Sequence, residues 1–294
     1  MNPLVKKIEV KNILSKSNLP VCDYSVNPYV GCTHSCKYCY ACFMKKFSNH
    51  LEDWGTFLDV KIWEKIKNPQ KYSGKSFFMS SVTDPYNPQE EIFQRTKTFL
   101  EEFQGVDIHL SLQTKSDLIL RDLDLIKNFK NVRVGFSINT LDENFKNDMD
   151  NAVSISRRIA AMKKFHEEKI STTCFISPIF PGITDVEKII DATKNFCNLI
   201  WLENLNLRGN FKPTIFNYIK EKFPQLAELY HEIYTKKNLS YWIELDKKIR
   251  NYAEKNNLEY VYNRDDLQKK FSDSPTIVNF FFHEKLKKTV TGKF

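Results

Sequence analysis

The stretch Asn27 to Cys42, NPYVGCTHSCKYCYAC, decides how the chain is read. Its core is Cys32-x3-Cys36-x2-Cys39, with the aromatic Tyr38 just before the third cysteine. Three thiolates on one tight loop can hold three irons of a four-iron cluster and leave the fourth iron open to bind something else. The competing reading is zinc, held by Cys32, Cys36, Cys39 and Cys42 or by three cysteines with His34. A closed zinc site usually unites two separated knuckles. These thiols instead fall within 11 consecutive residues and nothing downstream pairs with them, which favours the cluster.

Seven cysteines occur in 294 residues: Cys22, Cys32, Cys36, Cys39, Cys42, Cys174 and Cys197. An odd, clustered set behind an N-terminus without an apolar leader argues for metal chemistry in a reducing, cytoplasmic compartment and against a disulfide framework. Cys22 and Cys42 read as neighbours of the cluster, Cys174 and Cys197 as buried core thiols. With 41% hydrophobic and 27% charged residues the chain has a globular composition, and no apolar run is long enough to span a membrane. The net charge of +8 is a mild excess that fits a solvated surface, or, more weakly, a nucleic-acid footprint.

Working outward, extended apolar runs alternate with helical patterns. Strands are expected near 24–30, 76–82, 107–113, 132–139, 171–178 and 199–206, and helices near 54–67, 90–104, 117–128, 152–168 and 185–196, with Asp117 and Asp185 as N-caps. Six βα units without a seventh and eighth imply a partial, open (β/α)6 TIM-type barrel whose functional residues sit at the carboxyl ends of the strands. After residue 210 the pattern changes to helices near 214–235 and 239–256, an apolar run at 277–282 and a basic tail. The expected organisation is a core over 1–210 and a mainly helical extension over 211–294.

The cysteine motif resembles that of the radical S-adenosylmethionine (SAM) superfamily. The resemblance implies that Cys32, Cys36 and Cys39 ligate a 4Fe-4S cluster, that SAM chelates its open iron, and that reductive cleavage yields a 5'-deoxyadenosyl radical. It also implies an external electron donor of flavodoxin or ferredoxin type. Val82, Thr83, Asp84 and Pro85 take the place of the superfamily's Gly-Gly-Glu-Pro turn, so Thr83 and Asp84 would meet the cofactor's ammonium, with Tyr38 beside the cluster. Ser137 and Asn139 share one face of RVGFSINT and need a polar partner, for which the cofactor ribose is the candidate; Gly135 is either a bulge or room for the ligand. Arg158 would face the carboxylate, and the strand end around Ser177 the adenine. Lys115, Glu203, Asn204, Asn206 and Arg208 lie at further strand ends.

Together with TDPYNPQE, TKSDLILRD and SPIFPG, the motif is similar to the spore photoproduct lyase-like (DNA repair photolyase-like) branch, with radical SAM mobile pair protein B the nearest subgroup. That implies a paired radical SAM protein and a nucleic-acid-related substrate. The photoproduct lyase returns hydrogen through a cysteine. Strand four here has none, and only Cys174 lies elsewhere on a barrel strand. Tyr86, with Tyr40 and Tyr38, and Lys115 are the weak catalytic candidates. Three readings follow: a radical enzyme acting on nucleic acid or its components, one modifying a peptide or small metabolite alongside a partner enzyme, and a zinc-stabilised binding protein without catalysis.

Overall fold

The computed structural model describes residues 3–19, 22–207 and 211–261, and the backbone of 277–281. Strands β1 (Leu4–Glu9), β2 (Leu14–Lys16), β3 (Tyr24–Val26), β4 (Tyr29–Gly31) and β5 (Phe57–Ile62) lead into a βα succession. This runs β6 (Ser76–Met79), α1 (Glu90–Phe93), α2 (Arg95–Glu102), β7 (His109–Thr114), α3 (Leu123–Lys127), β8 (Asn131–Ser137), α4 (Glu143–Met149), α5 (Ile155–Glu167), β9 (Ser171–Ile179), α6 (Val186–Thr193) and β10 (Leu199–Asn204). Helices α7 (Lys212–Lys222), α8 (Ala227–Tyr234) and α9 (Ser240–Lys255) and strands β11 (Glu259–Tyr260) and β12 (Ile277–Phe281) follow.

The main sheet is ordered β11-β12-β10-β9-β8-β7-β6-β3-β2 and is parallel except for β2 against β3. Parallel strands covered on both faces need apolar side chains throughout. Accordingly Phe77, Met79, Leu110, Leu112, Val134, Phe136, Cys174, Ile176, Ile200 and Leu202 all join one core. Helix α5 buries Ile155, Arg158, Ala161, Met162 and Phe165 on one stripe at helical spacing, with the Ser154 hydroxyl capping its first turn. Asp185 caps α6 as expected.

Several expectations change. The segment expected as a helix over 54–67 is β5, because Phe57, Leu58 and Val60 are buried in a second sheet, where β5 lies between β1 and β4. The run expected at 24–30 divides, β3 entering the main sheet and β4 the small one. Asp117 does not cap: Ser116 accepts from the Leu118 amide, and Asp117 pairs with Arg157 at 2.6 Å. The helix expected over 214–235 breaks at Pro224, which cannot continue it. The sheet also gains a seventh and an eighth parallel strand from the C-terminal part, since β12 pairs with β10 and β11 with β12. Residue 282 lies outside the described residues.

One buried ion pair joins the two sheets. Glu90, fully buried at the start of α1, receives the Tyr29 hydroxyl from the small sheet, the Thr96 amide at 3.0 Å and the Arg121 guanidinium at 2.7 Å. Arg121 also holds buried Asp122 at 2.7 Å. Removing one partner of a buried pair leaves the other charge unpaired. Arg121→Ala is expected to lower unfolding free energy by about 3–5 kcal/mol, measured by anaerobic urea denaturation.

Candidate functional site

The cysteine loop begins where β4 ends. Gly31 has φ +88, and a Cβ there would stand 2.5 Å from the Phe57 carbonyl oxygen, so glycine lets the chain turn off the small sheet into Cys32. Gly55 likewise makes way for Ser35, whose Oγ would be 2.3 Å from an added Cβ. The loop is pinned to the region after α4 by the Lys37 amide on the Met149 carbonyl at 2.9 Å and the Asn151 amide on the His34 carbonyl at 2.8 Å. Cys32 is buried and Cys36 and Cys39 half-buried.

The three thiols lie within one another's field. Burial pushes Cys32 well above the usual thiol range, and negative charge on Asp84, Cys36 and Cys39 adds to it. Burial pushes Cys36 up to about 12, partly opposed by Lys115. Cys39 is also raised by burial, although the Trp54 side chain bonds to its sulfur. Converging, desolvated thiols are poor anions by themselves and good ligands, because a metal replaces their protons. Among the described residues no three His, Cys, Asp or Glu side chains gather around a point where one metal ion would sit. Three thiols on one loop suit a cluster that takes one thiolate per iron. Cys42 is half-buried, and its charge adds to the upward push on Cys39. Cys22 precedes β3, at the other end of that strand from Cys32.

Asp84 locks the loop to the barrel. Its carboxylate lies 3.2 Å from His34 Nε2 and accepts from the Thr114 hydroxyl at 2.7 Å, the Lys115 amide at 2.8 Å and the Tyr86 amide at 2.9 Å. Burial raises its pKa, but the His34 charge and these hydrogen bonds outweigh it and hold the group below the usual carboxylate range. The turn before it is held the same way. Thr83 donates to the Gly31 carbonyl at 2.6 Å, and Asn27 accepts from the Val82 amide at 3.1 Å and donates to Ser81 at 2.8 Å.

Beside the cysteines lies a second charged cluster around buried Asp150. Arg158 reaches it at 3.0 Å, Lys115 at 3.5 Å and Lys146 at 3.7 Å, and the Tyr38 hydroxyl donates to it at 3.1 Å while accepting from Lys115. Burial opposes ionisation of Asp150, yet Lys115, Arg158 and His34 lower it to about 2. Arg158 is fully buried and its guanidinium also donates to the Ser137 and Val153 carbonyls at 3.1 and 3.0 Å. The structure thus places it beneath the strand end, committed to protein acceptors.

At the ends of β8, β9 and β10, Gln113 crosses Gly135, whose added Cβ would lie 2.0 Å from the amide oxygen, and approaches the Ser137 hydroxyl at 3.4 Å. The space at Gly135 is therefore filled by Gln113. Asn139 donates to the Pro178 carbonyl at 3.4 Å, and Ser177 donates to Glu203 at 2.9 Å. Glu203 also accepts from Trp201 at 3.2 Å. Burial raises Glu203 to about 7 despite both donors. Asn204 is buried and Asn206 half-buried, while Arg208 lies outside the described residues. Tyr86 is fully buried in the main core beside the charges of Asp122 and Glu90, away from this mouth. Cys174 turns its thiol to Thr193 of α6.

Sequence reasoning missed Asp150, Gln113 and Trp54. Asp150 follows α4, a seven-residue helix whose apolar spacing is limited to Phe145 and Met149, and the Asp142 cap ahead of it is the other local signal.

The radical SAM superfamily profile matches residues 26–193. An uncharacterized protein of Methanocaldococcus jannaschii is 40% identical over 228 residues, covering 76% of this chain and 85% of that protein. The radical SAM Nalpha-GlyT isomerase of Pseudomonas phage M6 is 21% identical over 217 residues, covering 71% of this chain and 45% of that one. A spore photoproduct lyase variant with bound AdoMet and dinucleoside spore photoproduct has a TM-score of 0.53 at 17% identity, over 75% of this chain and 66% of that one. The last likeness is one of fold. Among the described residues no helix is long and apolar enough to cross a membrane.

Glu203 gives a pH test. Its folded pKa of about 7 exceeds the ordinary 4.5, so the native state binds the proton more tightly and loses stability as pH rises between those values. Glu203→Gln should melt higher than the parent at pH 8, with the difference gone near pH 4.5 in anaerobic thermal scans.

Proposed function

Because the chain belongs to the radical SAM superfamily, an enzyme family that uses a 4Fe-4S cluster and SAM, we propose that it abstracts hydrogen from a nucleic acid or a nucleic-acid component. The observation that carries the chemistry is the placement of Cys32, Cys36 and Cys39, buried or half-buried, on one loop held against the strand ends by Thr83 and by the Met149 and Asn151 backbone. When bound, the cofactors supply one-electron cleavage of SAM to a 5'-deoxyadenosyl radical, which takes a hydrogen atom from the substrate.

The chain's own residues hold and insulate. Cys32, Cys36 and Cys39 are the ligands. Asp84 positions His34 and the loop, and so acts on the cofactor through the loop it fixes. Thr83 holds the turn over the loop through Gly31, and the turn at 82–84 is the segment set against the cofactor's ammonium. Ser137, with Gln113, and Asn139 present hydroxyl and amide groups to the ribose, and Ser177 lies where the adenine edge is read. Arg158 neutralises Asp150 and fixes the Ser137 carbonyl. Tyr38 and Lys115 close the floor between the cysteines and Asp150, a cation and an aromatic ring in contact with Lys115 Nζ 4.6 Å from the ring centre. An external flavodoxin- or ferredoxin-type protein delivers the electron, and a second radical SAM protein belongs to the same reading.

Two features support the substrate class. The structural neighbour carries a dinucleoside photoproduct, and the chain has net charge +8, the sign a polyanion requires. Lyase activity through a strand cysteine is not part of this reading, since the Cys174 thiol faces α6.

The test is anaerobic reconstitution followed by reduction with deuterium-labelled oligonucleotides, nucleosides and peptides. Deuterium in 5'-deoxyadenosine is expected from the nucleic-acid arm. Transfer from peptides alone would overturn the substrate class, and a colourless protein with equimolar zinc would overturn the chemistry. Cys36→Ala is expected to lose the cluster's visible absorbance and at least about 100-fold of 5'-deoxyadenosine formation, about 2.7 kcal/mol in barrier terms.

A further inference from the structure

Three aromatic side chains are exposed among the described residues, Tyr40, Phe43 and Phe47, and all three lie on the short 3-10 helix Tyr40–Phe47 that follows Cys39. Phe47 is 77% exposed, and Leu51 just beyond it is 95% exposed. A concentration of bare apolar surface beside an active site marks a contact surface. The helix, YACFMKKF, carries no acidic residue. Lys37 and Lys46 are exposed at its two ends, Lys37 standing 5.6 Å from the Tyr218 ring. Lys45 is bonded to the Leu51 carbonyl at 3.0 Å and lies 4.0 Å from Asp53. Nearby Glu52 is paired with His50 at 2.9 Å.

This helix starts at the rim of the mouth. The Tyr40 hydroxyl donates to the Ser81 carbonyl beyond the end of β6. The exposed aromatics therefore begin at the edge of the cysteine site. At 3.0 residues per turn and about 2 Å rise, Tyr40 and Phe43 share one face about 6 Å apart, wider than the roughly 3.4 Å between bases stacked in a duplex strand, and Phe47 stands about a third of a turn round from them. Rings beside ammonium groups at that spacing match unstacked bases and their phosphates.

We propose that the helix Tyr40–Phe47 is a stacking platform for an unpaired nucleic-acid strand, which delivers one nucleotide past Tyr40 into the mouth beside Ser81. It rests on the nucleic-acid reading of the substrate. Phe43 and Phe47 supply the flat apolar faces, Lys46 a phosphate contact, and Tyr40 marks the threshold. A base must leave its stack before its sugar or ring can reach a buried site, so a platform for unstacked bases serves the chemistry directly.

The experiment measures fluorescence anisotropy of labelled single strands of about 20 nucleotides, DNA and RNA, and of the matching DNA duplex, with the reconstituted holoprotein. Thermal melting monitors folding of each variant. The parent is expected to prefer single strands. Phe47→Ala and Phe43→Ala should each weaken single-strand binding about 5- to 100-fold, while Phe47→Trp keeps it. Lys46→Ala should reduce the slope of log affinity against log salt by about 0.7. If the parent binds strands and both Ala variants bind equally well, the platform falls and the substrate class stands. No strand binding at low salt, with no deuterium transfer from nucleic acid, brings down both. Variants that lose affinity for an acidic flavodoxin but keep that for the strand would assign the surface to a protein and overturn the proposal.

Discussion

An ionised carboxylate taken out of water must be surrounded by donors, and Asp84 meets this demand with groups from three separate pieces of chain. His34 of the cysteine loop stands 3.2 Å from the carboxylate, while Tyr86 donates from its own turn and Thr114 with the Lys115 amide from the end of β7. Satisfying one buried charge thereby fixes the loop against two neighbouring strand ends. The rigid placement of three sulfurs on an irregular loop is otherwise hard to explain, since loops make few packing contacts of their own. Asp150 repeats the device on the opposite flank, where Arg158, Lys115, Lys146 and Tyr38 enclose it. Two buried anions, each ringed by donors, clamp the loop from either side.

The barrel strands were legible because parallel strands write their burial into the sequence. Runs such as Ser76–Met79 and Leu199–Asn204 carry apolar or aromatic residues without helical spacing, and the helices between them carry the opposite signature. The small sheet escaped because β5 mixes Asp59 and Lys61 with its apolar residues, and Asp59 is buried only by virtue of His50 at 2.9 Å. Nothing local announces that pairing. Strands β11 and β12 escaped for a different reason, their order in the sheet being set by tertiary pairing alone.

At the site, the cysteines and the Thr83-Asp84 turn could be read from spacing and residue type. The partners of those residues could not. Which acceptor a buried arginine meets depends on where α4 and α5 dock, so Arg158 looked free to hold a ligand and is instead bonded to Asp150 and two carbonyls. Gly135 was similarly ambiguous until Gln113 was seen to cross it. Polar residues at strand ends thus announce a cavity before they announce their division between wall and contact.

The order β11-β12-β10 carries a consequence for biosynthesis. Strand β12 is translated after β11 yet lies between it and β10, so β10 stays an unzipped border until residues 277–281 have been made. Nascent chains would then emerge with a sticky flank close to the thiol loop.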